Sequence, residues 1–161
     1  MGQAREIMDR ITAAAGAGDR DALLRLYAAD AVAETPEGRR LDSREAIADD
    51  LLSFVQAFPD MTWESRATFE AGDTAIDEGW VVGTHTGVLS LPDGDVPPTG
   101  RTMRLRECDL ITVRDGVAVA HRFYYDRLEL VSQLGLGEAA AAVPEPRAAT
   151  RSERASEVPA T

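Results

Sequence analysis

The spacing of apolar residues changes at Pro59, and this change limits the folds that are open to the chain. Before Pro59, apolar residues recur every three or four positions, which is typical of helices with one buried face. The pattern predicts three helices, with a short strand between the second and the third. The helices are predicted over residues 3–15, from Asp19 onward and over 41–58, and the strand over 31–34.

After Pro59 the apolar period falls to two, which is typical of half-buried strands. Strands are predicted over residues 63–69, 74–90, 102–113 and 117–125, and a short helix over 127–134. Gly83 and Gly87 interrupt the second of these strands, and glycine inside a strand often marks a bulge or a bend. The Pro- and Gly-rich segment 91–100 is predicted as a loop.

This order of elements predicts an α+β fold, because helices that precede a run of antiparallel strands segregate to one face of the sheet. Long strands bent at glycines would curl the sheet around the helices. We therefore expect a cone-shaped α+β barrel, in which three N-terminal helices pack on a curved antiparallel sheet. The cone would have an apolar interior and one mouth.

The chain divides into one folded domain and a tail. Residues 1–137 hold all the periodic segments, and 44% of the 161 residues are hydrophobic, which is enough for one core. Residues 138–161 contain no Leu, Ile or aromatic residue. They cannot bury enough surface to offset the entropy of ordering, so we predict a disordered tail there.

Composition and charge argue against several classes of partner. The net charge of −11 does not suit nucleic-acid binding, which requires clustered Lys and Arg. No run of ~18 apolar residues could form a transmembrane helix, and the N-terminus lacks the apolar core of a signal peptide. The single cysteine, Cys108, cannot form an internal disulfide. These features predict a cytoplasmic protein with no nucleic-acid or membrane partner.

The motifs of metal, nucleotide and serine-hydrolase chemistry are missing from the sequence. Two histidines and one cysteine provide no metal-ligand spacing, and neither a G-x-S-x-G elbow nor a P-loop occurs. The segment GLGEAA, 135–140, fits G-x-G-x-x-A by letters, but it does not open a helix directly after a strand of a βαβ unit. We predict neither a metal nor a cofactor.

The segment HRFYYDRLELVSQLGL places a carboxylate, Asp126, at the end of a predicted strand. Asp126 could cap the following helix, since Glu129 three residues later completes a capping-box pattern. It could also be a proton donor, which requires a desolvating pocket that raises its pKa above the reference value of about 3.9. Three adjacent aromatic residues would supply such a pocket, but the residues alone favour the cap.

Six short motifs follow one another in a particular order along the second half of the chain. FPDMTW, GTHTG, PPTGR, RDG, YYD and QLGL occur in this order over residues 58–136. Together they resemble the SnoaL-like polyketide cyclases, within the group that shares the nuclear transport factor 2 and ketosteroid isomerase fold. With the N-terminal helices, the resemblance covers residues 3–136. It implies a cone-shaped α+β barrel, chemistry without a cofactor, and a homodimer.

The resemblance also implies which residues form the site. Asp126 in YYD matches the general acid/base aspartate of such cyclases, and His85 in GTHTG matches a histidine near their pocket. Simple alternation puts His85 on the strand face opposite Trp80, and we expect His121 to point away from the pocket. Related sequences often carry His-Trp where this chain has His121 and Arg122, and an arginine facing the cavity would change the polarity of the substrate.

Eight further residues are candidates for contact with an apolar small-molecule substrate. Four of the candidates are aromatic residues in the first half of the chain, and they would contact the substrate only if they face the cone interior. Glu107 and Asp109 share one face of a mostly apolar strand, so they either pair with arginines or line the cavity as buried acids. The candidates are Tyr27, Phe54, Trp63, Trp80, Glu107, Asp109, Arg122 and Tyr124.

Together these features predict a cofactor-independent cyclase or isomerase with an aspartate general acid/base. Its substrate would be a polyketide-like or other enolisable, largely apolar carbonyl compound. Two alternatives stay open. The same pocket would suit cofactor-free hydroxylation or epoxide hydrolysis, the latter with two carboxyls or an Asp–Arg pair around one water. The chain could also bind an apolar ligand without catalysis.

Overall fold

The computed structural model describes residues 2–137 and confirms the predicted α+β architecture. Within these residues the helices are α1 (Gln3–Gly16), α2 (Arg20–Leu26), α3 (Arg44–Ala57) and α4 (Arg127–Gln133). The strands are β1 (Tyr27–Glu34), β2 (Arg40–Leu41), β3 (Thr62–Ala71), β4 (Thr74–Thr84), β5 (Leu89–Leu91), β6 (Gly94–Val96), β7 (Thr102–Arg114) and β8 (Val117–Tyr125). The predicted tail, 138–161, lies outside the described residues.

Six of the strands form one sheet in the order β2-β1-β8-β7-β4-β3, while β5 and β6 pair as a separate hairpin. Neighbours in the large sheet run antiparallel, except that β1 and β8 run parallel. Apolar residues of the three N-terminal helices meet the inner face of the sheet in the main core, which includes Met8, Ile11, Leu23, Ile47, Ile111 and Val113. Within residues 2–137, no helix has the length and apolarity to cross a bilayer. The structure holds one chain, so the expected homodimer stays a prediction.

The strand predicted over residues 74–90 is too long, because the chain leaves the sheet at the end of β4. The N–H groups of Thr86 and Gly87 donate to the carbonyl oxygen of Ala57 at the end of α3, over 3.1 and 3.0 Å. A Cβ atom at Gly87 would lie 2.0 Å from the carbonyl oxygen of Gln56, so this close approach requires glycine. The residues that follow form the β5–β6 hairpin, partly within the segment predicted as a loop.

A buried ion pair joins α1 to the inner face of the sheet. The guanidinium of Arg5 makes two hydrogen bonds to the carboxylate of Asp77 on β4, one of them from Nη2 to Oδ2 at 2.9 Å. Its Nε also donates to Asp9 over 2.9 Å. Arg5 and Asp77 are only 8% and 7% exposed. The bidentate arginine offsets the solvation energy that the carboxylate loses on burial.

Removal of Arg5 alone should destabilise the fold strongly, because it leaves the carboxylate of Asp77 buried without its partner. We expect Arg5→Met to lower the free energy of unfolding by about 3–5 kcal/mol, measured by urea denaturation. Arg10→Met on the same helix is the matched control, because the Arg10 side chain is 58% exposed and should have little effect. Equal losses of stability in the two variants would contradict a structural role for the ion pair.

Candidate active site

A cavity of about 490 Å³ lies between the inner face of the sheet, helices α1 and α3, and the β5–β6 hairpin. Much of its wall is apolar or aromatic, which suits a small and largely apolar ligand. The apolar part of the wall includes Met8, Phe54, Trp63, Val81, Leu89 and Phe123.

Two carboxyl groups on β7 face this cavity. Glu107 and Asp109 are two positions apart on the strand, so their side chains lie on the same face. In the register of β7 with β8, Glu107 stands opposite Tyr125 and Asp109 opposite Phe123. On the other side, Asp77 of β4 stands opposite Asp109. All five residues line the cavity.

The carboxyl pair of Glu107 and Asp109 retains a proton at neutral pH. Burial raises the pKa of Glu107 well above its ordinary value, and the charge of Asp109 raises it further. Burial, and after it the charge of Asp77, raise the pKa of Asp109 to about 8. Because both pKa values are raised, the pair holds at least one proton at neutral pH. The Asp109 side chain keeps 21% of its surface accessible, which leaves it within reach of a ligand in the cavity.

His121 on β8 adds a neutral imidazole to the polar part of the wall. The expectation that it points away from the pocket is wrong, because His121 shares the inward face of its strand with Phe123 and Tyr125. Its Nε2 lies 3.9 Å from Oδ2 of Asp109 and has no hydrogen-bond partner in the described part of the chain. Burial lowers the pKa of His121 to about 3, so the ring is uncharged at physiological pH.

Tyr125 places a phenol at the edge of the cavity and donates its hydroxyl proton to Glu37. Burial and the charge of Glu37 raise the pKa of Tyr125, so the phenol stays protonated. Glu37 belongs to the turn between β1 and β2, and its Oε2 is buried with no partner within residues 2–137. In the same turn, Arg39 pairs with Asp50 of α3 at 2.5 Å, which ties the turn to the helix.

Asp126, the predicted general acid/base, does not line this cavity. Its exposed carboxylate accepts hydrogen bonds from the N–H groups of Leu128 and Glu129, over 2.8 and 3.2 Å, and thereby caps α4. A proton-donating carboxyl needs a desolvating pocket, whereas the carboxylate of Asp126 is exposed to water. The geometry therefore favours the helix-cap interpretation of Asp126, and the acids that line the cavity include Glu107 and Asp109 on β7.

His85, the second predicted catalytic residue, is fully buried but does not line the cavity. Its Nδ1 lies 3.0 Å from Oγ1 of Thr99, and its ring packs on Phe58 with the centroids 5.2 Å apart. Main-chain hydrogen bonds of 2.9 Å join His85 to Gly100 and Arg101. These contacts hold together the two ends of the segment that carries the β5–β6 hairpin.

Four of the eight predicted contact residues line the cavity, namely Phe54, Trp63, Glu107 and Asp109. The other four do not. Tyr27 is buried in the core behind the wall. Trp80, Arg122 and Tyr124 lie on the outer face, because the inward positions of β4, and those of β8 from His121 onward, are odd-numbered. There Trp80 packs against the guanidinium of Arg104, at 4.1 Å from the ring centroid.

Several polar residues of the wall were not predicted as site residues, among them His121, Tyr125, Asp77 and Glu37. His121, Tyr125 and Asp77 lie on the inward faces of their strands, so a correct choice of face would have found them. Glu37 lies in a turn, where periodicity carries no signal. Among residues 2–137, no three His, Cys, Asp or Glu side chains are grouped to hold a metal ion. The wall offers carboxyls, an imidazole and a phenol, which are groups that transfer protons and donate hydrogen bonds.

The sequence and the fold both have known relatives. The sequence model of the SnoaL-like polyketide cyclase family matches residues 5–134. None of the curated proteins matches the chain. A structure from Jannaschia sp. CCS1, named as a candidate SnoaL-like polyketide cyclase, has a TM-score of 0.73 at 19% identity and covers 82% of this chain and 91% of its own.

Two Streptomyces structures are also similar. AclR of Streptomyces galilaeus, named as a candidate hydroxylase, has a TM-score of 0.67 at 20% identity and covers 82% of this chain and 95% of its own. IdmH of Streptomyces antibioticus, named as a candidate polyketide cyclase, has a TM-score of 0.67 at 30% identity and covers 83% of this chain and 99% of its own. The match of the family model over most of the chain, together with the similarity to IdmH, shows that the chain belongs to the SnoaL-like polyketide cyclase family.

Proposed function

We propose that this protein is a cofactor-independent acid–base catalyst that cyclises or isomerises a polyketide-like or other enolisable, largely apolar carbonyl compound. One observation carries the proposal. Glu107 and Asp109 lie side by side on one face of β7, in the wall of an otherwise largely apolar cavity, and burial raises the pKa of both carboxyls. The family to which the chain belongs supports a small-molecule substrate.

The loss of fold stability caused by burying the carboxyl pair favours a catalytic role over simple ligand binding. Burial of two carboxyl groups without a cationic partner reduces the stability of a fold. Neither Glu107 nor Asp109 forms an ion pair with an arginine among residues 2–137. A cavity that only held an apolar ligand would have no use for such groups, whereas general acid–base catalysis needs them.

The carboxyl pair can take up one proton and deliver another in a single turnover. The step begins from the form of the pair in which one carboxyl has lost its proton, and this ionised carboxyl removes a proton from the carbon between two substrate carbonyls. The resulting carbanion attacks a second carbonyl carbon, and a carbon–carbon bond forms. The protonated carboxyl then donates its proton to the oxygen of that carbonyl. The pair ends with one proton, as it began, and no external oxidant or reductant is needed.

Other groups of the wall support this reaction. His121 and Tyr125 bring hydrogen-bonding groups to the side of the cavity where negative charge develops on the carbonyl oxygen. Phe54, Trp63 and Phe123 shape the apolar part, which would hold a flexible substrate in a folded conformation. Holding the reacting carbons together removes much of the entropic barrier to cyclisation.

Loss of either carboxyl should abolish most proton transfer at carbon. We expect the wild type to accelerate exchange of the α-hydrogens of β-tetralone for deuterium in D₂O, followed by proton NMR. Asp109→Asn and Glu107→Gln should each lower the enzymatic rate by about 10²–10⁴-fold, because each removes one member of the acid–base pair.

Asp126→Asn is the matched control for these variants. Asparagine is a good N-cap, so this variant should keep both its fold and its exchange rate. Absence of exchange in the wild type, or loss of exchange in Asp126→Asn with full activity in the two cavity variants, would contradict the proposed role of the carboxyl pair.

The carboxyl pair should also shape the pH dependence of stability. The pKa of Asp109 is about 8 in the folded protein and near 4 in an unfolded chain, so the folded form binds a proton that the unfolded form has released. The free energy of unfolding should therefore fall as the pH rises from about 5 to about 8. Asp109→Asn should flatten this fall, measured by urea denaturation at several pH values. Asp115→Asn, at an exposed turn, is the control and should keep the pH dependence of the wild type. If wild type and Asp109→Asn showed the same pH dependence of stability, the raised pKa of Asp109 would be refuted.

Epoxide hydrolysis is a second candidate, because the wall contains two carboxyls, one of the two arrangements that suit this reaction. Glu107 and Asp109 supply two carboxyls, and the Asp77 that lines the cavity is paired with Arg5. We expect such an enzyme to transfer isotopically labelled oxygen from water to the diol product of styrene oxide, and Glu107→Gln to stop the transfer. Absence of label in the wild-type product would remove this candidate and leave the first one unaffected.

A further inference from the structure

Tyr27 contacts the imidazole of His121 from behind the cavity wall. It lies where α2 ends and β1 begins, and it is 1% exposed. Its hydroxyl oxygen lies 2.6 Å from Nδ1 of His121, the one side-chain hydrogen bond of Tyr27 within residues 2–137. The imidazole also packs against the rings of Tyr27 and Phe123, with centroid distances of 6.0 and 3.9 Å. These contacts fix the orientation of the ring, with Nε2 on the side of Asp109.

In this hydrogen bond the hydroxyl of Tyr27 is the donor. Burial raises the pKa of Tyr27 well above its ordinary value, so the phenol keeps its proton, and Nδ1 of His121 is its acceptor among the described residues. Burial lowers the pKa of His121, so only one of its two ring nitrogens carries a proton. Because Nδ1 accepts, the proton of the ring is on Nε2.

We propose that Tyr27 is a positioning residue that holds His121 in the Nε2–H tautomer, so that the nitrogen beside the carboxyl pair is a hydrogen-bond donor to a substrate carbonyl oxygen. The catalytic part of this inference rests on the proposed function, while the tautomer itself does not. The 3.9 Å between Nε2 and Oδ2 of Asp109 is too long for a hydrogen bond, so the Nε2–H has no acceptor among the described residues.

The opposite tautomer would work against the proposed reaction. With the proton on Nδ1, Nε2 would present a lone pair to Asp109. That lone pair would compete with the substrate oxygen for the proton of the carboxyl pair. It would also remove one of the donors that stabilise the developing oxyanion. The hydroxyl of Tyr27 therefore decides whether His121 assists or opposes proton delivery.

Nitrogen-15 NMR of histidine-labelled protein tests the tautomer directly, without any substrate. In the wild type at neutral pH, we expect the His121 signals of a protonated Nε2 and an unprotonated Nδ1. The chain has two histidines, and His85, whose Nδ1 contacts Thr99 instead, serves as the internal reference.

Tyr27→Phe should keep the buried ring and remove only the donor. We expect it to shift the nitrogen signals of His121 toward the opposite tautomer or a mixture of the two, and to leave those of His85 unchanged. Tyr125→Phe is the matched control, because it removes another buried hydroxyl of the site that bonds to Glu37 and not to His121. It should leave the His121 tautomer as in the wild type.

The rate of deuterium exchange tests whether Tyr27 contributes to catalysis through His121. Tyr27→Phe should lower kcat for deuterium exchange of β-tetralone by about 10–100-fold, the range typical of partners that orient a functional histidine. KM should change little, because Tyr27 does not line the cavity. In a His121→Gln background the same substitution should have no further effect, because a carboxamide has no tautomer to select.

Two results would overturn the inference. One is a wild-type His121 that carries its proton on Nδ1, a result that needs no variant to fold. The other is a folded Tyr27→Phe, checked by circular dichroism, with unchanged His121 signals and unchanged kcat. If the wild type shows the Nε2–H tautomer but no exchange of ketone hydrogens, the proposed function fails while the assignment of the tautomer to Tyr27 stands.

Discussion

Three carboxyl side chains stand on neighbouring strands of the inner sheet face, and a single arginine makes this arrangement possible. Arg5 takes up the charge of Asp77, so only Glu107 and Asp109 remain without a cation. Like charges so close together in a poorly solvated place cannot all ionise, and the pair keeps a proton. An ion pair that fastens the first helix to the sheet thus also sets the protonation state of the acids beside it.

Several polar groups of the cavity wall are uncharged. The imidazole of His121 is neutral, the phenol of Tyr125 is protonated, and the carboxyl pair keeps a proton. Such a wall accepts an uncharged carbonyl compound at low desolvation cost. Its hydrogen-bond donors bind the substrate oxygen more strongly once negative charge develops there in the transition state. Such an interaction lowers the activation barrier, whereas one that is equally strong in the ground state only tightens substrate binding.

The change of period at Pro59 was enough to predict the α+β class, and the shared face of Glu107 and Asp109 could be read from their strand. The inward face of β4 could not be predicted from the sequence. Its outward residues, among them Trp80, are larger and more apolar than inward Gly79, so apolarity pointed to the wrong side. The reason is the close approach of β3, since a Cβ atom at Gly79 would lie 2.4 Å from the carbonyl oxygen of Glu64 and 2.8 Å from the ring of Trp63. A strand that passes beneath a bulky neighbour needs small inward residues, and a lone sequence does not reveal that neighbour.

Asp126 was predicted as the acid for a related reason. Asp126 matches a family motif and follows aromatic residues, but its two hydrogen bonds to main-chain N–H groups and its exposure depend on how the last strand meets α4. The residues alone favoured a cap, and the family motif favoured a catalytic acid. Exposure distinguishes them, and exposure depends on contacts distant in the sequence.

The β5–β6 hairpin stands apart from the sheet that bears the acids. It contributes Leu89 and Leu91 to the cavity and is tied to α4 by the pair of Asp93 with Arg127, while Glu107 and Asp109 are held by strands of the large sheet. Substitutions in the hairpin can therefore reshape the space offered to a ligand without moving the proton-transfer groups. Homologous proteins with this fold can therefore differ in their products through changes in one short surface segment, while the residues that transfer protons stay the same.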